Sequence, residues 1–151
     1  MGAKADYRYR KRRILTVQKD GFKSMSKNAV TRQDILQYAD EVYGTTAEYL
    51  WADTPTAAVL RHRTNRKWYA ILMEVPKVRL GLSGDGAVDV LNVKCDPLLI
   101  GSLLKSQGFL PAYHMSKAHW ISILLDGSLS AEDVFPLVDL SFQMTEKKIK
   151  K

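Results

Sequence analysis

The chain has 151 residues, 46% of them hydrophobic and 26% charged, with a net charge of +7. That length supports one domain with a core of its own and leaves little room for two. No apolar run approaches the roughly 18–20 residues that span a bilayer, and the single cysteine, Cys95, excludes an internal disulfide and a cysteine-rich zinc site.

The location of the charge limits what it implies. Residues 1–30 hold nine Lys or Arg against Asp6 and Asp20, and residues 147–151 add four lysines. Residues 31–146 carry ten basic and fourteen acidic side chains, so the basicity belongs to the two ends and the middle is mildly acidic. Basic ends of this kind are solvated tails that hold polyanions without specificity. The opening MGAKADYRYRKRRILTV has no signal-peptide apolar core, and Asp6 stands where a myristoylation motif needs Ser or Thr. The expectation is a soluble, cytoplasmic monomer that does not engage membranes. Residues 1–30 read as a basic extension, weakly ordered or briefly helical, residues 31–146 as the domain, and residues 147–151 as a lysine-rich tail.

In chain order, Thr31 with Asp34 forms a capping box in its acidic variant. Ile35, Leu36, Ala39, Val42 and Tyr43 then recur at helical spacing, and Gly44 stops the helix. In the loop TTAEYLWADTP, Tyr49, Leu50 and Trp51 are expected to anchor to the core. AAVLRHR and KWYAILMEV are rich in strand formers and flank Thr64-Asn65-Arg66, which predicts a hairpin. Pro76 ends its second strand, LSGDGA is a turn, and VDVLNVK is a third strand. Asp96-Pro97 combines an N-cap acid with proline at the first helical position. Leu98, Leu99, Leu103 and Leu104 are read as the buried stripe of that helix, which ends near Gly108. HWISILL is a fourth strand. Ser130 with Asp133 caps a last helix carrying Val134, Leu137, Val138 and Phe142. The order of helix, three strands, helix, strand and helix predicts an α+β, two-layer arrangement: a mostly antiparallel sheet with helices on one face.

Catalytic patterns are weak. His114 and His119 lie five apart with no supporting acid, His62 is distant, and HExxH is missing, so neither a metal nor a cofactor is expected. There is no GxSxG motif. Cys95 reads as a small buried apolar group rather than a nucleophile. GLSGDG lacks the lysine and helix start of a phosphate-binding loop. A basic hairpin can place cations on phosphates; here Arg61, Arg63, Arg66 and Lys67 crowd around one turn beside Trp68 and Tyr69. Lys94, Lys117 and His119 would extend that surface if the fourth strand lies near the hairpin. The alternative reading is a charged edge hairpin protected against aggregation.

The segments YGTTAEYLW, RHRTNRKWYAILMEVP, VDVLNVKCDPLLIGSL and GFLPAYHMSKAHWISILLDGS closely resemble the MmcQ/YjbR family, from about Thr31 to Met144. The resemblance implies a fold like the CyaY (frataxin) domain. It also implies DNA binding, inferred for the family from fold, which by itself does not fix function. It implies no catalytic residues. The first helix offers only Asp34, Asp40 and Glu41, so frataxin's iron handling is not carried over. The expectation is a non-enzymatic binding domain that contacts DNA through Arg61, Arg63, Arg66, Lys67, Lys94 and Lys117. Trp68 or Tyr69 would stack on a base. The rival is a small-ligand or protein-interaction module around Tyr113, His114, Lys117, His119 and Trp120, and a more remote one is an enzyme with His114 or His119 as general base.

Overall fold

Cap chemistry sets the first helix. In the computed structural model, which describes residues 28–146, Asp34 N–H donates to Thr31 Oγ1 at 3.2 Å, and Thr31 N–H donates to the Asp34 carboxylate at 2.9 Å. Helix α1 spans Arg32–Tyr43 and ends at Gly44, whose φ of 67° is the left-handed cap that glycine adopts without penalty. The other elements are β1 (Ala58–Arg61), β2 (Trp68–Pro76), a 3-10 turn (Lys77–Leu80), β3 (Ala87–Lys94), α2 (Pro97–Leu103), β4 (Phe109–Pro111), β5 (Trp120–Leu124) and α3 (Ala131–Thr145). The expectations for residues 1–27 and 147–151 lie outside the described residues.

The five strands form one sheet in the order β1-β2-β3-β5-β4, with every pair antiparallel. The α+β reading is therefore correct, with one strand more than expected. Strand β4 has three residues and closes on Pro111, too short to show a period of two. Gly108, just before it, has φ 96°, and a Cβ there would lie 2.8 Å from Leu129 Cδ1, so both backbone and space require glycine.

Successive strand residues face opposite sides of a sheet. One side of this sheet meets the helices: Leu60, Leu72, Leu91, Val93, Ile121 and Ile123 share a core with Ile35, Tyr38, Ile100, Val134 and Val138. Arg32 Nη2 pairs with Asp89 Oδ1 at 3.0 Å and ties α1 to β3. On the other side a smaller cluster of Val75, Val88, Val90 and Leu124 is covered by Leu80, Leu82, Leu110 and Tyr113. The opposite end of the same face, at Trp68, Lys94 and Trp120, is only half covered. Strand β3 contributes to both clusters, Leu91 and Val93 to the first and Val88 and Val90 to the second.

Two packing expectations are corrected. Tyr49, Leu50 and Trp51 do not anchor in the core: they are 55%, 44% and 38% exposed. Their segment is held instead by main-chain bonds, Glu48 N–H to Val59 O at 2.9 Å and Val59 N–H to Glu48 O at 2.8 Å. In α2, Leu98 is 87% exposed and Ile100 is the buried residue. Of the expected stripe, Leu99 and Leu103 do pack against the core, while Leu104 is exposed because α2 stops at Leu103, well before Gly108. Val30 also belongs to the core and donates its N–H to Leu129 O at 2.9 Å. Among the described residues, no helix is long and apolar enough to cross a membrane.

Candidate binding surface at the open end of the sheet

The β1–β2 register carries a bulge. Val59 pairs with Ile71 and Leu60 with Ala70, but Arg61 pairs with Trp68, so Tyr69 is the extra residue. The bulge turns Tyr69 toward the helices, where it is buried and its hydroxyl donates to Thr45 Oγ1 at 2.7 Å. Burial pushes its phenol well above the usual range. Tyr69 is therefore closed to base stacking. Ser141 of α3 completes the interrupted ladder: its hydroxyl donates to Tyr69 O at 2.6 Å and accepts from Lys94 N–H at 2.9 Å.

The same alternation places Trp68 on the face away from the helices, with Arg61, Val59 and Ile71. Asn92 and Lys94 of β3 share that face, paired with Ser122 and Trp120 of β5. Trp68, Lys94 and Trp120 thus stand on three adjacent strands at one end of the sheet, each half-buried. The Trp51 ring reaches the same place and meets Trp68 edge to face, with centroids 5.8 Å apart.

The segment after β4 is fastened to this face by a closed ring of bonds. Tyr113 N–H donates to Ser122 Oγ at 2.9 Å, Ser122 Oγ–H donates to Asn92 Oδ1 at 2.6 Å, and Asn92 Nδ2 donates to Tyr113 O at 2.9 Å. Asn92 and Ser122 are fully buried, and each satisfies the other and the loop backbone. His114 adopts φ 60°, and its ring lies 4.1 Å from that of Tyr113. Lys117 donates Nζ to Ala112 O at 2.8 Å, so its ammonium braces its own loop. His119 is exposed, and its carbonyl accepts from Cys95 N–H at 2.8 Å. Cys95 itself is buried, and burial raises its thiol pKa.

The basic hairpin divides. Arg61 Nη2 lies 2.9 Å from Glu48 Oε1, and Arg66 Nη2 reaches the same oxygen at 4.0 Å. Arg63 is exposed but its guanidinium lies beside Gly44, at the end of α1. Arg66 and Lys67 are exposed at the turn. The turn is pinned to the far end of α3: Asn65 Nδ2 donates to Thr145 O at 2.9 Å, and buried His62 lies 2.8 Å from Thr145 Oγ1 through Nε2. The Thr145 hydroxyl donates to Ser141 O at 2.8 Å, so its oxygen accepts from the His62 ring. Burial lowers the His62 pKa from 6.5, partly offset by Glu146.

Of the residues picked out in sequence, Arg66, Lys67, Trp68, Lys94 and Trp120 gather at the open end. Arg61 is there too, but in an ion pair. Sequence reasoning missed Trp51, Glu48, Asn92 and Ser122. The signal for the last two was present, as polar residues interrupting the apolar strands VDVLNVK and WISIL. Among the described residues, no group of three or more His, Cys, Asp or Glu is placed to hold a metal.

Known proteins share this chain's pattern. The family model described as YjbR matches residues 40–144. The uncharacterized protein YyaQ of Bacillus subtilis is 42% identical over 117 residues, covering 78% of this chain and 99% of YyaQ. The uncharacterized protein YjbR of Escherichia coli K12 is 40% identical over 55 residues, 35% of this chain and 46% of that one. A crystal structure of a Pseudomonas syringae protein superimposes with a TM-score of 0.75 at 45% identity, covering 78% of this chain and all of that one. Deinococcus radiodurans protein DR2400 shares the fold, with a TM-score of 0.61 at 24% identity, covering 82% of this chain and 84% of that one. The chain belongs to the YjbR family.

Proposed function

We propose that this YjbR-family domain is a non-enzymatic nucleic-acid-binding module that works from the open end of its sheet. The observation that carries the reading is the lateral row Trp68, Lys94 and Trp120, with Arg66 and Lys67 exposed at the adjoining turn. Cations of this kind neutralise phosphates, and the flanking aromatic rings offer faces to bases. Because residues 31–146 are acidic overall, the attraction is local to this end and not a property of the whole domain. The seven-residue set taken from sequence contracts accordingly. Arg66, Lys67, Trp68 and Lys94 form its centre, and Arg61 contributes after leaving Glu48. Arg63 and Lys117, directed to Gly44 and Ala112, leave the set. The CyaY-like relation implied by the motifs belongs to the same proposal, without its iron chemistry.

The test is fluorescence anisotropy with duplex and single-stranded DNA across a salt series. The full chain is compared with the chain cut to residues 28–146; the Pseudomonas syringae structure, matched over all of its own chain, covers a similar share, 78%, of this one. The trimmed domain is expected to bind. Combining Lys67→Glu with Lys94→Glu should flatten the salt slope by roughly 0.9 per lost phosphate contact on duplex. Glu48→Gln should raise affinity, because it releases Arg61 and Arg66. Binding confined to the full chain would assign the affinity to the basic ends and overturn the proposal.

A second reading, a small-ligand module at Tyr113, His114, His119 and Trp120, is favoured by the close, tilted Tyr113–His114 ring pair on a loop fixed by buried bonds. A ligand bound only by the folded state raises the thermal midpoint. Silence across broad metabolite and metal sets would remove this reading.

A further inference from the structure

The chain has three tryptophans, Trp51, Trp68 and Trp120, and none is in the core. Tryptophan is highly buried on average, and here the fully buried aromatic side chains are Tyr38 and Tyr69 instead. Register and ring contact bring all three indoles to the open end of the sheet. From this we infer that the ligand of the surface is an unpaired strand, whose bases stack on the tryptophans. The inference rests on the nucleic-acid reading and specifies the form of nucleic acid.

Three features point the same way. First, a duplex hides its base faces and offers a protein phosphates and groove edges, for which indole faces have no use. An unpaired strand offers a π-face at every base. Second, Trp68 and Trp120 are separated by one intervening strand, about 10 Å at the usual strand spacing. That exceeds the rise of about 3.4 Å between stacked bases, so bridging the two indoles requires a splayed strand, not a helix. Third, charge is placed to match. Lys94 lies between the two indoles, and Arg66 and Lys67 stand beyond Trp68, so a backbone crossing from one ring to the other meets cations along its way. Glu48 is the acid that competes for these cations, and it is already engaged with Arg61. The exposed Tyr49 and Leu50 continue the apolar rim beside Trp51.

Because every tryptophan sits on this surface, intrinsic fluorescence reports on it directly. The full chain is titrated with an oligothymidylate and, separately, with the same oligomer annealed to its complement, at one fixed salt concentration. The single strand is expected to quench the tryptophans and to bind about tenfold tighter than the duplex. Trp120→Ala should weaken single-strand binding by at least about fivefold and duplex binding by less, so that the preference for the single strand narrows. Trp51→Ala, at the most exposed of the three rings, should weaken single-strand binding in the same sense, through loss of its own face and of its edge contact with Trp68. Equal or tighter duplex binding without quenching overturns this inference while the nucleic-acid reading stands. Failure of the trimmed domain to bind either form removes both.

Discussion

The two faces of the sheet were built from the same strands under different demands. On β3, Leu91 and Val93 point to the helices and lie in a continuous apolar core. Their neighbours Asn92 and Lys94 point the other way, one to a buried hydrogen-bonded ring and one to the row of tryptophans. The helix-covered face spends its polar groups on fixing position. Tyr38 and Tyr43 both donate to Asp139, and Ser141 closes the bulge at Tyr69. The open face has a covered half, under Leu80, Leu82, Leu110 and Tyr113, and a half-covered end where Arg61, Trp68, Lys94 and Trp120 lie around buried Val59 and Ile71. Packing accounts for the helix-covered face and the covered half, and gives no reason for the tryptophans and the lysine gathered on the rest. That difference directs the functional reading to the tryptophan end.

The largest expected effect separates residues three apart on one strand. Leu91→Ala should destabilise the fold by about 2–5 kcal/mol, because it leaves a cavity among fully buried neighbours. Lys94→Ala should change stability by less than about 0.5 kcal/mol while weakening nucleic-acid binding. Urea unfolding together with a binding titration of each variant checks the contrast. If Lys94→Ala were as destabilising as Leu91→Ala, the open end would be a second core.

A middle effect concerns the covered half of the open face. Asn92→Ala removes the acceptor of Ser122 and the donor to Tyr113, leaving buried polar groups unpaired. Losses of this kind are about 1–3 kcal/mol. Hydrogen exchange should then quicken around Tyr113 and stay slow in α3. Unchanged exchange at Tyr113 would mean that the ring of bonds is not what holds the loop.

The smallest effect is a pH dependence at the pinned hairpin. His62 has its pKa lowered by burial, so the fold prefers the neutral ring. Above about pH 6.5 both folded and unfolded states carry it neutral. As pH falls through that value the unfolded state takes up the proton first, and stability declines. His62→Gln, which retains an N–H for Thr145, should flatten the fall in thermal midpoint between about pH 7 and pH 5.5. An unaltered slope would assign the dependence to carboxylates.

Local chemistry was the most legible part of the sequence. Thr31 with Asp34, Asp96-Pro97 and Ser130 with Asp133 mark helix starts because caps involve neighbours in the chain. The hairpin and the strands around it followed from turn residues and β-branched runs. What failed depended on distant partners. Tyr49, Leu50 and Trp51 looked like core anchors because aromatic runs usually are buried, and only the Glu48–Val59 pairing shows where that loop lies. Arg61 looked like an available cation until the fold brought Glu48 beside it. Tyr69 and Trp68, adjacent in sequence, were interchangeable as stacking candidates until the bulge sent one inward. The family motifs identified the domain, yet its contact surface depends on which strand residues share a face, and that follows from register.

The most direct test follows the three indole N–H resonances by NMR during addition of an oligothymidylate to the isotope-labelled chain. All three signals, from Trp51, Trp68 and Trp120, should shift or broaden together with the amide of Lys94. The amides of Leu72, Leu91 and Ile123, buried against the helices, should move little. Shifts confined to residues 1–27, or gathered on the exposed Leu140 and Met144 of α3, would contradict the assignment of function to the open end of the sheet.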